Sequence, residues 1–185
     1  MTANGILKRF TIRDLVMSAS MAALGLAIKP IVVPIAHMIS GPLMIPGGSL
    51  AGGLYMMWLV VAFGLTGKRG TATLTGLTQA IIVIIIGMNG SHGIMSLFSY
   101  TLPGAAIDLV LLIIRRKADS GATAFIAGIA ANVTGTVCVN MIFFSLPLIP
   151  LLLSICTAAV SGGIGGLIAW ALLKSLRKYG IGTYE

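Results

Sequence analysis

Six long apolar stretches run through the sequence, each closed by a short group of Lys and Arg or of Gly and Pro. A helix that crosses a bilayer needs ~20 mostly apolar residues. Lipid offers no partner for a backbone N–H or C=O, so only helices or a closed barrel can span it, and uninterrupted apolar runs lack the alternation of barrel strands. The chain therefore reads as all-α: a polytopic membrane protein of six transmembrane helices, with residues 1–185 forming a single transmembrane domain. Composition agrees, with 57% hydrophobic and 9% charged residues and a mean hydropathy of +1.05, the profile of a chain whose main solvent is not water. Six spans with short connections leave no length for a soluble catalytic domain.

The spans are expected at about Asp14 to Ala36, Ser49 to Thr66, Thr71 to Met88, His92 to Ile114, Ala122 to Leu146 and Pro150 to Leu173. The first is interrupted by Lys29-Pro30 and followed by His37-Met38-Ile39-Ser40-Gly41-Pro42 and Pro46-Gly47-Gly48, a density of Gly and Pro that breaks a helix. It is too long for a secretory signal core, so a retained first helix is expected. The N-terminus, the second and fourth connections and the C-terminus hold 11 of the 12 Lys and Arg residues, Lys29 being the exception. Because Lys and Arg are retained on the cytoplasmic side during insertion, this alternation predicts both termini inside, in a multi-pass protein of the cell membrane. It also accounts for the net charge of +8 without nucleic acid, since the basic residues cap helices and form no stripe interleaved with aromatics.

Enzymatic signatures fail one by one, and no catalytic residue is assigned. Gly64-Leu65-Thr66-Gly67-Lys68-Arg69 lacks the spacing and the closing Ser or Thr of a phosphate-binding loop. Asn89-Gly90-Ser91-His92-Gly93 sets a serine beside a histidine with no acid to orient the imidazole. Two histidines and four acids in the whole chain make a poor metal site. Cys138 and Cys156 lie inside apolar segments and read as small core residues.

What remains are polar residues inside the spans, where each is costly. His92, Ser96 and Tyr100 recur every four residues on one face of the fourth segment, and Asp108 continues it; Asn132, Thr136 and Asn140 do the same on the fifth, and Ser154, Thr157 and Ser161 on the sixth. With the predicted topology most of these fall in the outer half of the membrane, where they either converge on a pocket open to the exterior or hydrogen-bond neighbouring helices and their own backbone. Asp108 reads as a buried anchor or a substrate contact, and Lys29 as a side chain that snorkels outward or meets an acidic ligand. Two small-residue faces invite close helix approach: Ala19, Ala23 and Ala27 on the first segment, and Gly162, Gly163, Gly165 and Gly166 on the sixth.

These features resemble the substrate-binding S component of an energy-coupling factor (ECF) transporter. The likeness rests on size, six helices, the Ala19, Ala23 and Ala27 face, and, towards the thiamine and hydroxymethylpyrimidine type, on Gly53-Leu54-Tyr55-Met56-Met57-Trp58, Gly67-Lys68-Arg69-Gly70 and Leu102-Pro103-Gly104-Ala105-Ala106-Ile107-Asp108, within residues 41–117. That type carries more acids in its spans, whereas this chain has Gln79 in the third. The resemblance implies an S-component-like bundle that captures a small vitamin-like metabolite beneath the first loop. The alanine face would meet a transmembrane coupling subunit, and ATP would be used only by a partner ATPase pair, with no cofactor in this chain. The substrate contacts expected are Tyr55, Trp58, Gln79, His92, Ser96, Tyr100, Asn140 and Thr157, with the loop from His37 to Gly48 as cover. A self-sufficient secondary transporter or channel, or a non-catalytic membrane assembly subunit, are the competing readings; the first would need an internal inverted repeat, and none is visible.

Overall fold

The computed structural model describes residues 10–87, 93–115 and 118–181. Among these residues six α-helices follow one another: α1 Ile12–Ser40, α2 Gly47–Thr66, α3 Thr71–Ile86, α4 Ser96–Ile113, α5 Gly121–Val139 and α6 Leu148–Lys178. No strand occurs among the described residues. Five of the helices, with their flanking turns, are long and apolar enough to cross a membrane, and α3 is a shorter apolar helix of 16 residues. Ile31, Ile85, Leu109 and Val160 are among many large apolar side chains left exposed on the outside of the bundle, a surface that lipid would cover.

Local chemistry explains the ends. Thr11 and Asp14 form a capping box at the start of α1, and Ser120 and Thr123 form one at the start of α5, each satisfying N–H groups that a first turn leaves free. Gly67 at φ 63° closes α2 by donating its N–H to the Phe63 carbonyl at 2.8 Å. The expected break at Lys29-Pro30 does not occur: α1 runs on through Pro30 and Pro34 to Ser40. Each proline removes one hydrogen bond from the ladder, but no Gly follows until Gly41, so the helix continues. Only residues 41–46 form the connection, a short 3₁₀ turn over Gly41–Leu43 held by the Ser40 hydroxyl, which donates to the Ile45 carbonyl at 2.8 Å. The fifth span also departs from a regular helix. After Val139 it widens into a π turn over Asn140–Phe144, and the Asn140 side chain accepts the Leu146 N–H at 2.9 Å to fix the following bend.

Helix α2 is the most buried of the long helices, packed against α1, α3, α5 and α6, while α1 is the least buried. Phe63, Leu59, Leu65, Ile107, Leu111 and Leu173 fill the core. Elsewhere small residues let backbones touch: a Cβ on Gly53 would run into the Ser161 carbonyl, and one on Gly165 into the Gly53 carbonyl. The contact is polar as well as close, because the Ser161 hydroxyl donates to the Leu50 carbonyl at 2.5 Å and accepts the Gly53 N–H at 3.1 Å. Asn132, fully buried, donates to the Ser49 carbonyl at 3.0 Å and the Ala158 carbonyl at 2.9 Å, tying α5 to α2 and α6 at once.

Up-and-down connection gathers Arg13, Lys68, Arg69, Arg115, Lys174, Arg177 and Lys178 at one end of the bundle. Two of the acids found there, Asp14 and Asp108, are structural. Asp14 pairs with Lys68 at 2.6 Å, joining α1 to the turn between α2 and α3. Asp108 on α4 accepts the Gly70 N–H at 2.9 Å, the Thr73 N–H at 2.8 Å and the Thr73 hydroxyl at 2.6 Å. A carboxylate set against free N–H groups and the positive end of the α3 dipole is a strong anchor. Replacing Asp108 by Ala is expected to cost about 2 to 3 kcal/mol by stranding these donors. Thermal unfolding in detergent reads this as a lowered midpoint, while ligand affinity stays unchanged.

Candidate functional site

A cavity of about 200 Å³ lies between the helices. Its lining includes Pro46 of the first connection, Gly47 and Gly48 at the start of α2, Asn140 and Phe144 of the π turn, Leu146 and Ser154, which places it towards the end away from the Lys and Arg cluster. From α1 come Lys29, Val33 and His37, each one helical turn from the next. From α2 come Tyr55, Met56 and Leu59; from α3, Gln79; from α4, Ser99, Tyr100 and Pro103; and from α5, Gly135, Thr136 and Val139. Apolar walls with a few convergent polar groups are the ordinary make-up of a small-molecule site.

The polar centre is an ammonium between two phenols. Lys29 Nζ donates to the Tyr100 hydroxyl at 2.7 Å and lies 4.2 Å from the Tyr100 ring centroid and 5.3 Å from that of Tyr55. Tyr55 in turn donates its hydroxyl to the Gly48 carbonyl at 3.1 Å, which ties the ring to the first turn of its own helix. Gln79, buried, reaches the Ala22 carbonyl at 3.4 Å and so braces α3 against α1. Thr136 donates to the Ser49 hydroxyl at 3.3 Å. Ser99 keeps a buried hydroxyl with no protein partner. Its carbonyl lies four residues before Pro103, which has no N–H to give it. The cavity thus presents a cation, two phenols, a primary amide and a serine whose hydrogen-bonding capacity the protein leaves unused.

Four of the residues expected as contacts meet here: Tyr55, Gln79, Tyr100 and Asn140. Three do not line the cavity. Trp58 packs against the core, with its ring close to Gly25 of α1. Ser96 is fully buried one turn before Tyr100. Thr157 lines a separate, open groove on α6 and α2, with Leu50, Gly53, Leu54 and Val160 among its neighbours. His92 lies outside the described residues. Part of the expected geometry shifts accordingly: α1 and α2 supply more of the wall than α6, which contributes Ser154 alone. Ser154 and Ser161 bond instead to carbonyls, of Pro150 and Leu50.

Lys29 is the residue the sequence signalled most clearly and left open. It is the single basic residue outside the topogenic clusters, and its side chain turns inward to the tyrosines. Ser99 gave no signal, because the four-residue spacing of His92, Ser96 and Tyr100 drew attention to the adjoining face of α4. The two small-residue faces also separate. Gly162, Gly163, Gly165 and Gly166 are buried against α2 and α5, whereas Ala19, Ala23 and Ala27 are all exposed on the outer side of α1.

The family model described as "ABC-type cobalt transport system, permease component" matches residues 13–134. Among solved structures, the crystal structure of an S-component of an ECF transporter superposes with a TM-score of 0.77 at 20% sequence identity, covering 93% of this chain and 88% of that one. The likeness is one of fold. No curated protein matches the sequence.

Proposed function

Because the chain belongs to the family of ABC-type cobalt transport system permease components, and so is a multi-pass membrane component of a transporter, we propose that it is the substrate-capture subunit of an ECF-type importer. The observation that carries this reading is the cavity at the end away from the Lys and Arg cluster, lined there by Pro46 of the first connection and the first turn of α2. With both termini cytoplasmic, as the charge alternation predicts, that cavity lies in the outer half of the bilayer and receives a small metabolite from outside. The exposed alanine face of α1 supports the second half of the reading: it offers a close-packing surface to a transmembrane coupling subunit, and an ATPase pair supplies the energy.

Two narrower identities are weighed by the lining. The family takes its name from cobalt, but this cavity offers one imidazole, His37, beside the Lys29 ammonium, and among its described lining residues no carboxylate or thiol. Those donors suit an organic ligand better than a divalent ion. The resemblance to the thiamine and hydroxymethylpyrimidine type brings a flat ring into play, for which Tyr55 and Tyr100 provide faces, while neither Gln79 nor Lys29 supplies the negative charge that would pair with a cationic ring.

Affinity purification of the tagged protein from its native membranes in mild detergent is expected to bring down a second membrane subunit and two ATPases carrying phosphate-binding loops. Recovery of the protein alone, under conditions that keep an ABC importer from the same membranes whole, would sink the assignment.

A further inference from the structure

We propose that the ligand of the cavity is a compact ring-bearing carboxylate, with its anionic group seated on Lys29 Nζ between Tyr55 and Tyr100. The inference rests on the cavity being the substrate site and names the class of substrate.

An ammonium inside a membrane span is costly unless something compensates it. The partners Lys29 has are the Tyr100 hydroxyl and two ring faces, all of them neutral. They orient the charge without cancelling it. The chain has four acids in all. Asp14 is taken by Lys68, Asp108 is taken by the start of α3, and Asp119 is exposed in the turn between α4 and α5 at the basic end. The fourth, Glu185, is the last residue and lies outside the described ones. Among the described residues, then, no carboxylate faces Lys29.

Escape to the membrane surface does not account for the lysine either. From Lys29 helix α1 runs a further eleven residues to Ser40, which at 1.5 Å per residue is about 16 Å, beyond the reach of a lysine stem. The side chain is instead held laterally by phenols from α2 and α4, over the cavity. A ligand carboxylate here would supply the missing countercharge. It would accept from the Lys29 ammonium and the Tyr100 hydroxyl, while its ring lies among Met56, Leu59 and Phe144. The unpartnered Ser99 hydroxyl stands on the same wall as Tyr100 and can bond a second polar group of the ligand. A carboxylate fits better than a phosphate, which commonly draws several cationic or N–H donors, where this cavity has one lysine.

The test uses the purified full chain in lipid nanodiscs and four probes of one size: benzoate, benzamide, benzylammonium and phenyl phosphate. Affinities come from the concentration dependence of the thermal midpoint. Benzoate is expected to bind about tenfold or more tightly than benzamide, the scale of one charged hydrogen bond, and benzylammonium to give no shift. Lys29→Met should erase the benzoate preference, and Lys29→Arg should retain it. Without probe, Lys29→Met should unfold no earlier than wild type, because it removes an uncompensated charge; a lysine serving only to bolt α1 to α4 would give the opposite. Equal responses to benzoate, benzamide and benzylammonium, including none to any of them, would overturn the proposal. So would tighter binding of phenyl phosphate than of benzoate, or a benzoate preference that survives Lys29→Met. The wild-type series decides the matter even if the Met variant fails to fold. None of these readings depends on co-purifying subunits, so failure here is distinct from failure of the importer assignment.

Discussion

Replacing Ala19 and Ala23 together by Trp is expected to abolish uptake while the isolated protein folds and binds ligand as before. Ala19, Ala23 and Ala27 stand one above another on α1, and all three are exposed. On the other side of the same helix Ser18, Ala22 and Gly25 are buried against the bundle. Indole side chains on the outward face displace lipid and nothing else, so the fold has no reason to suffer. A second membrane subunit is affected differently. Association within lipid gains little from the hydrophobic effect and depends on dispersion contacts between closely approaching backbones. Two indoles hold the helices apart and forfeit those contacts, so complex formation and transport fail together. Uptake by cells, co-purification with the coupling subunit and the thermal midpoint in detergent separate the possibilities. A lowered midpoint together with lost ligand binding would place the face inside the bundle, and undiminished uptake would remove α1 from the coupling interface.

The same helix shows what a sequence can and cannot convey. That α1 is apolar and long enough to cross a membrane follows from its residue types, since lipid enforces length and polarity on every span alike. That it passes through Lys29, Pro30 and Pro34 to Ser40 does not, because a proline inside a span costs a hydrogen bond whose loss is settled by neighbouring helices. The rotation of each helix is the harder quantity. Tyr55, Gln79, Tyr100 and Asn140 could be named because bulky aromatic or amide groups in a span need a reason. Trp58 met that description equally well and packs against the core, and Thr157, singled out by its spacing with Ser154 and Ser161, lines a separate groove. These helices are apolar nearly all round, and the short polar stripes on the last three do not single out the cavity side, which packing against partners distant in sequence sets. Lys29 is the instructive case. Its departure from the charge alternation was legible, but the choice between pointing outward and pointing inward needed the positions of Tyr55 on α2 and Tyr100 on α4.

The contrast between the two small-residue faces leads to the remaining large effect: Gly128→Leu is expected to prevent a stable bundle from forming. Gly128 on α5 and Gly162 on α6 face each other so closely that a Cβ on either would overlap the other's carbonyl oxygen, and a Cβ on Gly128 would also lie 2.9 Å from the Gly166 nitrogen. Backbone cannot rotate aside as a flexible side chain can, so a leucine forces the two helix axes apart towards the ~8 to 10 Å spacing of ordinary packing. The damage spreads from there. Asn132, one turn along α5, loses its bond to the Ala158 carbonyl, which now spans 2.9 Å, and with it part of the tie to α6. Its buried amide would be left without one of its two acceptors in a setting where unmet polar groups are expensive. Overpacking alone costs about 1 to 3 kcal/mol and more where backbone must move, so the summed loss approaches the whole stability of an ordinary domain. Gly128→Leu should therefore run as aggregate on size exclusion in mild detergent, with no cooperative unfolding transition, whereas Ala27→Leu, an equal gain in bulk on an exposed face of α1, should elute and unfold as wild type does. A monodisperse Gly128→Leu protein with an unchanged midpoint would show that α5 and α6 do not meet along these glycines.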